Sequence, residues 1–253
     1  MKVGFFSAKQ YDINHFDRIN KTFGLQIEYF DYRLCLRTAR LAHGFEAICV
    51  FVNDSLCEEV LIELSKNGTK VIAMRCSGFN NVDLEVAKKL NLKVVNVPSY
   101  SPESVAEHTV ALMLTLNRKV HKAYQRTRDA NFSLKGLVGF NMQNRNVGII
   151  GTGKIGLATI KILLGFGCHV FAHDPYPNHA VLDLGVKYVP LEKIFAACDI
   201  ISLHCPLTSE NHHLLNKESF SRMKPGVMVI NTSRGGLLNA LDAIEALKTG
   251  QLG

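Results

Sequence analysis

The stretch Val147-Gly148-Ile149-Ile150-Gly151-Thr152-Gly153-Lys154-Ile155-Gly156 constrains the fold of this chain more than any other. Val147 to Ile150 carry no charge and suit a parallel strand buried on both faces. They stop abruptly at Gly151-x-Gly153-x-x-Gly156. An apolar helical segment follows, from about Lys154 to Phe166. A second strand-like run, Cys168 to His173, ends at Asp174, 18 residues after Gly156.

Each glycine answers a physical need. Gly151 lets the chain turn sharply out of the strand, Gly153 removes a side chain where a pyrophosphate must approach, and Gly156 lets helix and sheet pack closely. The helix N-terminus then offers unpaired N–H groups and a partial positive charge to phosphates. A carboxylate at Asp174 can accept from both hydroxyls of a ribose and repels a 2′-phosphate, so the expected cofactor is NAD rather than NADP. Three glycines in an ordinary strand-to-helix turn are the plainer alternative. The strand before, the helix after and the terminal acid are the context that separates the two.

With 253 residues the chain suits two domains, and 47% hydrophobic with 20% charged residues is the composition of a soluble globular protein. No apolar run approaches the ~20 residues of a membrane span, so no membrane association is expected. Met1-Lys2-Val3-Gly4-Phe5 reads as a strand rather than a secretory leader. Seven cysteines at 35, 49, 57, 76, 168, 198 and 205 form no C-x-x-C pair. They read as reduced core residues of a cytoplasmic protein without a metal site. The net charge of +7 draws on Arg118, Lys119, Lys122, Arg126 and Arg128, placed on one helix. No nucleic-acid-binding signature accompanies them, so nucleic acid is not an expected partner. A positive field does favour a small anionic substrate.

Strand-like and helix-like segments alternate from Lys2 to Lys248, the pattern of parallel sheets covered by helices. Ser55 is the expected cap of a helix from Leu56 to Lys66, and Ser101 followed by Pro102 starts a helical region reaching about Thr127. Val105, Val110, Ala111, Leu112 and Leu114 mark its expected packing face. Pro98-Ser99-Tyr100-Ser101-Pro102 interrupts the alternation, dividing domains 1–99 and 100–253.

In such folds ligands bind beyond the carboxyl ends of the strands. Four loops therefore matter: 75–80, 151–156, 204–208 and 231–236. Arg234 follows an apolar strand and precedes two glycines, where a guanidinium can hold a carboxylate with two parallel hydrogen bonds. Pairing with a surface acid is the alternative. Ser77 and Gly78 can present backbone N–H groups to the same carboxylate, and Tyr100 sits where it could close over it.

These residues belong to a wider set: Arg75-Cys-Ser-Gly-Phe-Asn-Asn-Val-Asp83, Val97-Pro-Ser-Tyr100, Ala123-Tyr-Gln-Arg-Thr-Arg-Asp-Ala-Asn-Phe132, Gly151-Thr-Gly-Lys-Ile-Gly156, Asp174-Pro-Tyr-Pro177, Ile201-Ser-Leu-His-Cys-Pro-Leu-Thr208 and Asn231-Thr-Ser-Arg-Gly235. Through them the whole chain resembles the D-2-hydroxyacid dehydrogenases, and among these the fermentative D-lactate dehydrogenases of bacteria. The resemblance implies an α/β chain of two domains: a flavodoxin-like substrate domain and a Rossmann-type doubly wound parallel sheet, incomplete at its C-terminus. It implies Arg234 as the substrate-binding and catalytic arginine, Ser77 and Gly78 as a backbone carboxylate contact, and Tyr100 on the substrate side. Gly151, Gly153, Lys154, Ile155, Gly156 and Asp174, with Cys205, Pro206, Asn211, Thr232, Ser233 and Arg234 itself, match the NAD contacts. The implied reaction is reversible hydride transfer between NADH and pyruvate, giving D-lactate, in a homo-oligomer whose domains close over the substrate.

One departure stands out. The family's acid–base histidine and the carboxylate that orients it lie beyond residue 253, and the sheet is left with an edge strand at Val227 to Asn231. His204 is the best placed of the histidines present, at a strand end beside the cofactor loops. Its plainer reading is a polar group satisfied by its own backbone surroundings. His108 reads as a packed or capping histidine on its helix, and His212-His213 as an exposed loop pair. A non-catalytic NAD-binding protein serving as a redox-responsive interaction module is therefore the alternative to an enzyme.

Overall fold

Strands and helices alternate along the chain, and every strand pairing is parallel. The computed structural model describes residues 1–253. They divide into two units, Met1–Tyr100 and Ser101–Gly253, so Tyr100 falls in the first.

The first unit runs β1 (Lys2–Phe5), α1 (Gln10–Phe23), β2 (Gln26–Tyr29), a 3-10 turn at Ala39–Ala42, β3 (Ala47–Val50), α2 (Glu58–Lys66), β4 (Val71–Met74), α3 (Leu84–Lys89) and β5 (Lys93–Val95). Its sheet order is β2-β1-β3-β4-β5, the flavodoxin-like arrangement. Val3, Phe5, Ala47 and Cys49 are buried on one face, and Phe6, Ile48, Val50, Ile72 and Met74 on the other. Burying a side chain of this size stabilises by about 1.5–3 kcal/mol, which is why these strands read as unbroken apolar runs.

The second unit runs α4 (Pro102–Arg118), α5 (Val120–Arg128), β6 (Asn146–Ile150), α6 (Lys154–Gly165), β7 (His169–His173), α7 (His179–Leu182), β8 (Lys187–Tyr188), α8 (Leu191–Ala197), β9 (Ile200–Leu203), α9 (Lys217–Ser221), β10 (Met228–Asn231), a 3-10 turn at Gly235–Leu237 and α10 (Ala240–Lys248). The order β10-β9-β6-β7-β8 is that of a Rossmann sheet. β6 is central, paired to β7 and β9, and the strand order reverses between β6 and β9. β10 lies at the edge, as expected, with a single parallel bridge on its outer side between Val227 and Leu252.

Three local expectations fail. Ser55 does not cap α2. Leu56 pairs with Val82 as an extended residue, so the helix starts two residues later, after Cys57, without a side-chain cap. The helical region after Ser101 is two helices, and the basic residues split between them. Lys119 adopts the left-handed conformation, φ 53°, between α4 and α5. Asn117, buried just before the break, locks the strandless connector by exchanging two 2.8 Å bonds with Phe140. The buried face of α4 is Ala106, Thr109, Val110, Met113 and Asn117, whereas Ala111 is exposed. The Ser101 cap is present, its hydroxyl accepting from the Ser104 N–H. No helix is long and apolar enough to cross a membrane.

Candidate functional site

The loop between β6 and α6 is built by steric exclusion. Gly151 holds φ +96°, and a Cβ there would stand 2.5 Å from the Cys205 nitrogen and the His204 carbonyl carbon. A Cβ on Gly156 would lie 2.1 Å from the Gly151 carbonyl oxygen. Both glycines are therefore required by the chain itself. Gly153 differs: it is exposed, and a Cβ there would meet nothing within 4 Å. Its small size leaves open space at the start of α6, whose N-terminus has no side-chain cap. The first-turn N–H groups of Lys154, Ile155 and Gly156 precede the first intrahelical partner. A concave loop, unpaired donors and a helix N-terminus make an anion site.

Asp174 closes β7 and stands beside this loop. Its Oδ2 accepts from the Thr152 N–H at 2.7 Å and the Thr152 hydroxyl at 3.0 Å, and its Oδ1 from the Tyr176 N–H at 2.9 Å. Thr152 is only 1% exposed and accepts in turn from the Tyr188 hydroxyl, 2.8 Å away. Neither Thr152 nor Tyr188 was singled out from the sequence. Tyr188 comes from another strand and belongs to no motif; the one available signal was a polar residue inside the glycine turn.

The β9 and β10 loops complete this edge of the sheet. The Ser233 hydroxyl donates to the Cys205 carbonyl at 2.5 Å, tying the two loops together. Asn211 folds its own loop, its amide donating to the Pro206 carbonyl and its carbonyl accepting from the Thr208 N–H. The Thr232 hydroxyl contacts that of Thr109 on α4 at 2.9 Å. Asn231 donates to the Arg234 carbonyl at 2.9 Å, which fixes the backbone from which the half-buried guanidinium projects. Arg234 Nη1 donates to the Ser233 carbonyl. Burial raises the Cys205 thiol pKa, so it meets this polar edge as a neutral group.

In the first unit, Ser77 and Gly78 form a turn just past β4. Asn96 donates to the Ser77 carbonyl at 2.7 Å, the Ser77 hydroxyl donates to the Pro98 carbonyl, and the Cys76 thiol to that of Gly78. These bonds brace the turn through its own carbonyls and that of Pro98. Tyr100 is 69% exposed.

None of the second unit's loop histidines is arranged as an acid–base. Burial pushes His204 down to about 4, and its Nε2 is 2.9 Å from the Ser202 hydroxyl. It is uncharged at neutral pH and has no carboxylate partner. His108 is exposed, not packed as expected. His212 is exposed and His213 half-buried, their rings 3.8 Å apart. His204 gives a stability signature. Its folded pKa lies below the usual 6.5, so folding opposes its protonation. Its contribution is complete above pH 6.5 and is lost as pH falls toward 4. From pH 7 to pH 5 this amounts to about 2 kcal/mol. Urea unfolding of His204→Gln should show a pH 7-to-5 loss smaller than that of the parent chain by that amount. An equal loss in both would mean that His204 is not held neutral by the fold.

A family model described as the NAD binding domain of D-isomer specific 2-hydroxyacid dehydrogenases matches residues 110–253. D-lactate dehydrogenase of Escherichia coli K12 is 57% identical over 253 residues, covering 100% of this chain and 77% of that protein. The apo-structure of the Escherichia coli D-lactate dehydrogenase superposes with a TM-score of 0.92 at 57% identity, over 100% of this chain and 80% of that one. D-lactate dehydrogenase from Aquifex aeolicus, complexed with NAD and lactic acid, superposes with a TM-score of 0.88 at 35% identity, over 99% of this chain and 74% of that one. The glycine loop that only glycine can build, the open start of α6, the acid at the end of β7 and these likenesses converge: the chain belongs to the D-isomer specific 2-hydroxyacid dehydrogenases, a family of NAD-dependent oxidoreductases.

Proposed function

We propose that this chain belongs to a D-lactate dehydrogenase, interconverting pyruvate and D-lactate with NAD. The observation that carries the reading is Arg234, fixed by Asn231 at the carboxyl end of β10 in a chain 57% identical to a D-lactate dehydrogenase. Bound NADH supplies the hydride that reduces the substrate carbonyl. Gly153 leaves room for the pyrophosphate in the turn that Gly151 and Gly156 build, and the N–H groups of Lys154 and Ile155 hold it. Asp174 takes the adenosine ribose, and Cys205, Pro206, Asn211, Thr232 and Ser233 shape the remaining contact surface. Arg234 pairs with the substrate carboxylate and polarises the adjacent carbonyl. In the first unit, Ser77, Gly78 and Tyr100 are the proposed substrate-binding residues. The proton for the carbonyl oxygen does not come from His204, whose low pKa keeps it neutral.

Replacing a bidentate guanidinium by an ammonium costs about 2 kcal/mol, or roughly thirtyfold in affinity. Arg234→Lys is therefore expected to bind pyruvate about thirtyfold more weakly in the NADH-loaded chain, read by quenching of NADH fluorescence, with NADH affinity unchanged within twofold. Unchanged pyruvate affinity would remove Arg234 from the substrate site.

The burial that keeps His204 neutral favours the second reading, a non-catalytic NAD-binding interaction module, and turnover separates the two. We also propose a homo-oligomer, supported by exposed Tyr124, Phe132, Leu134 and Val138 around α5 and its connector. Sedimentation equilibrium should give a dimer or larger, and a monomer at micromolar concentration would contradict it. The cysteines support a reducing, cytoplasmic setting, although Cys57 is exposed and Cys35 and Cys205 are half-buried rather than in the core.

A further inference from the structure

We propose that Thr152, Tyr188 and Asn178 form a one-way hydrogen-bond relay that holds Asp174 in place and sets the preference for NADH over NADPH. The proposal rests on the assignment of Asp174 to the adenosine ribose.

The relay's direction follows from counting protons. The Asn178 N–H donates to the Tyr188 oxygen at 2.8 Å. The Tyr188 hydroxyl has one proton, and it goes to Thr152 Oγ1, 2.8 Å away. The Thr152 hydroxyl also has one proton, and it goes to Asp174 Oδ2 at 3.0 Å. The chain begins at a backbone N–H, which can only donate, and ends at a carboxylate. No hydroxyl in it is left to turn the other way. The Asn178 side chain also donates to the Thr152 carbonyl at 2.9 Å and accepts from the Ala180 N–H at 3.0 Å, so the residue that starts the relay is itself pinned. Two separate loops and a strand, β8, thereby converge on one carboxylate.

The count also says what Asp174 has left. A carboxylate offers about four acceptor positions. Oδ2 takes two donors from Thr152 and Oδ1 takes one from Tyr176, so one position remains, on Oδ1. A ribose hydroxyl brings the proton that position needs. A 2′-phosphate brings negative charge and no such proton, to a carboxylate that cannot swing away because its other oxygen is held twice. Without the relay, Asp174 could rotate aside and the penalty on the phosphate would fall. Tyr188 and Thr152 are thus positioning residues for cofactor choice and do not themselves touch the ribose.

The test is fluorescence titration of the chain with NADH and with NADPH, on Thr152→Val, Tyr188→Phe, Thr152→Ser and Asp174→Ala. Thr152→Val removes the donor while keeping shape, and should weaken NADH binding about fivefold while NADPH binding improves about twofold. The preference then falls about tenfold. Tyr188→Phe should lower it about fivefold. Thr152→Ser keeps the hydroxyl and should keep the parent preference, an outcome that loss of packing alone would not give. If Asp174→Ala lowers the preference but Thr152→Val and Tyr188→Phe leave it within twofold of the parent, the relay is refuted and the ribose assignment stands. If Asp174→Ala also leaves it unchanged, the ribose assignment fails, and the relay with it.

Discussion

Gly153→Ala is expected to leave the chain folded and weaken NADH binding by at least about thirtyfold, whereas Gly151→Ala and Gly156→Ala should destabilise the second unit outright. The three glycines share one motif but differ in what surrounds them. A Cβ at Gly153 meets nothing, and its backbone, φ −64°, suits any residue. Its melting temperature should stay within about 3 °C of the parent, since the change touches only a helix cap. The added methyl instead occupies the space a pyrophosphate needs. At Gly151 the left-handed backbone alone costs about 1–2 kcal/mol for an alanine. A contact at 2.5 Å with main-chain atoms of 204 and 205 adds overpacking against groups that cannot rotate away. Gly156→Ala is worse placed still, at 2.1 Å from a carbonyl oxygen. A loss of at least about 3 kcal/mol is expected for each, seen as a fall of roughly 6–12 °C in a unit of this size. Equal stability of all three variants would mean that the loop is not packed as described.

These glycines were legible in the sequence because their constraint is local. A sharp turn, a close helix and a terminal acid all lie within 30 residues of chain, and strand burial on both faces leaves unbroken apolar runs such as Val147 to Ile150. The flavodoxin-like and Rossmann strand orders followed from the same alternation, joined to the family resemblance. What the sequence hid were choices made between distant segments. Leu56 is extended because Val82 lies beside it, so Ser55 lost its helix. The long helix after Pro102 breaks at Lys119, beside a buried Asn117 that holds Phe140, 23 residues away. The α4 face buries Thr109 and Asn117 in place of Ala111 because polar partners await them, Thr232 and Phe140. Tyr188 reaches Thr152 from another strand, 36 residues on. His204 shows a smaller gap: its plainer reading, a satisfied polar group at a strand end, is already preferred from the sequence, but its partner is the Ser202 hydroxyl rather than backbone.

That histidine carries the second large effect. Reduction of a 2-oxo acid needs a proton at the carbonyl oxygen, and a placed general acid supplies about 10²–10⁴-fold of the rate. A group with a pKa near 4 is a poor proton store at pH 7, and neither His108 nor the His212–His213 pair is set against a carboxylate. We propose on this ground that residues 1–253 alone bind cofactor better than they turn it over. The most direct measurement titrates this chain with NADH by fluorescence and then follows NADH oxidation with saturating pyruvate. Saturable NADH binding with pyruvate-dependent oxidation at least about 100-fold below an ordinary dehydrogenase rate is the result this structure predicts. Failure to bind NADH would contradict the cofactor site, and rapid oxidation would contradict the histidine argument and make His204 the first residue to replace.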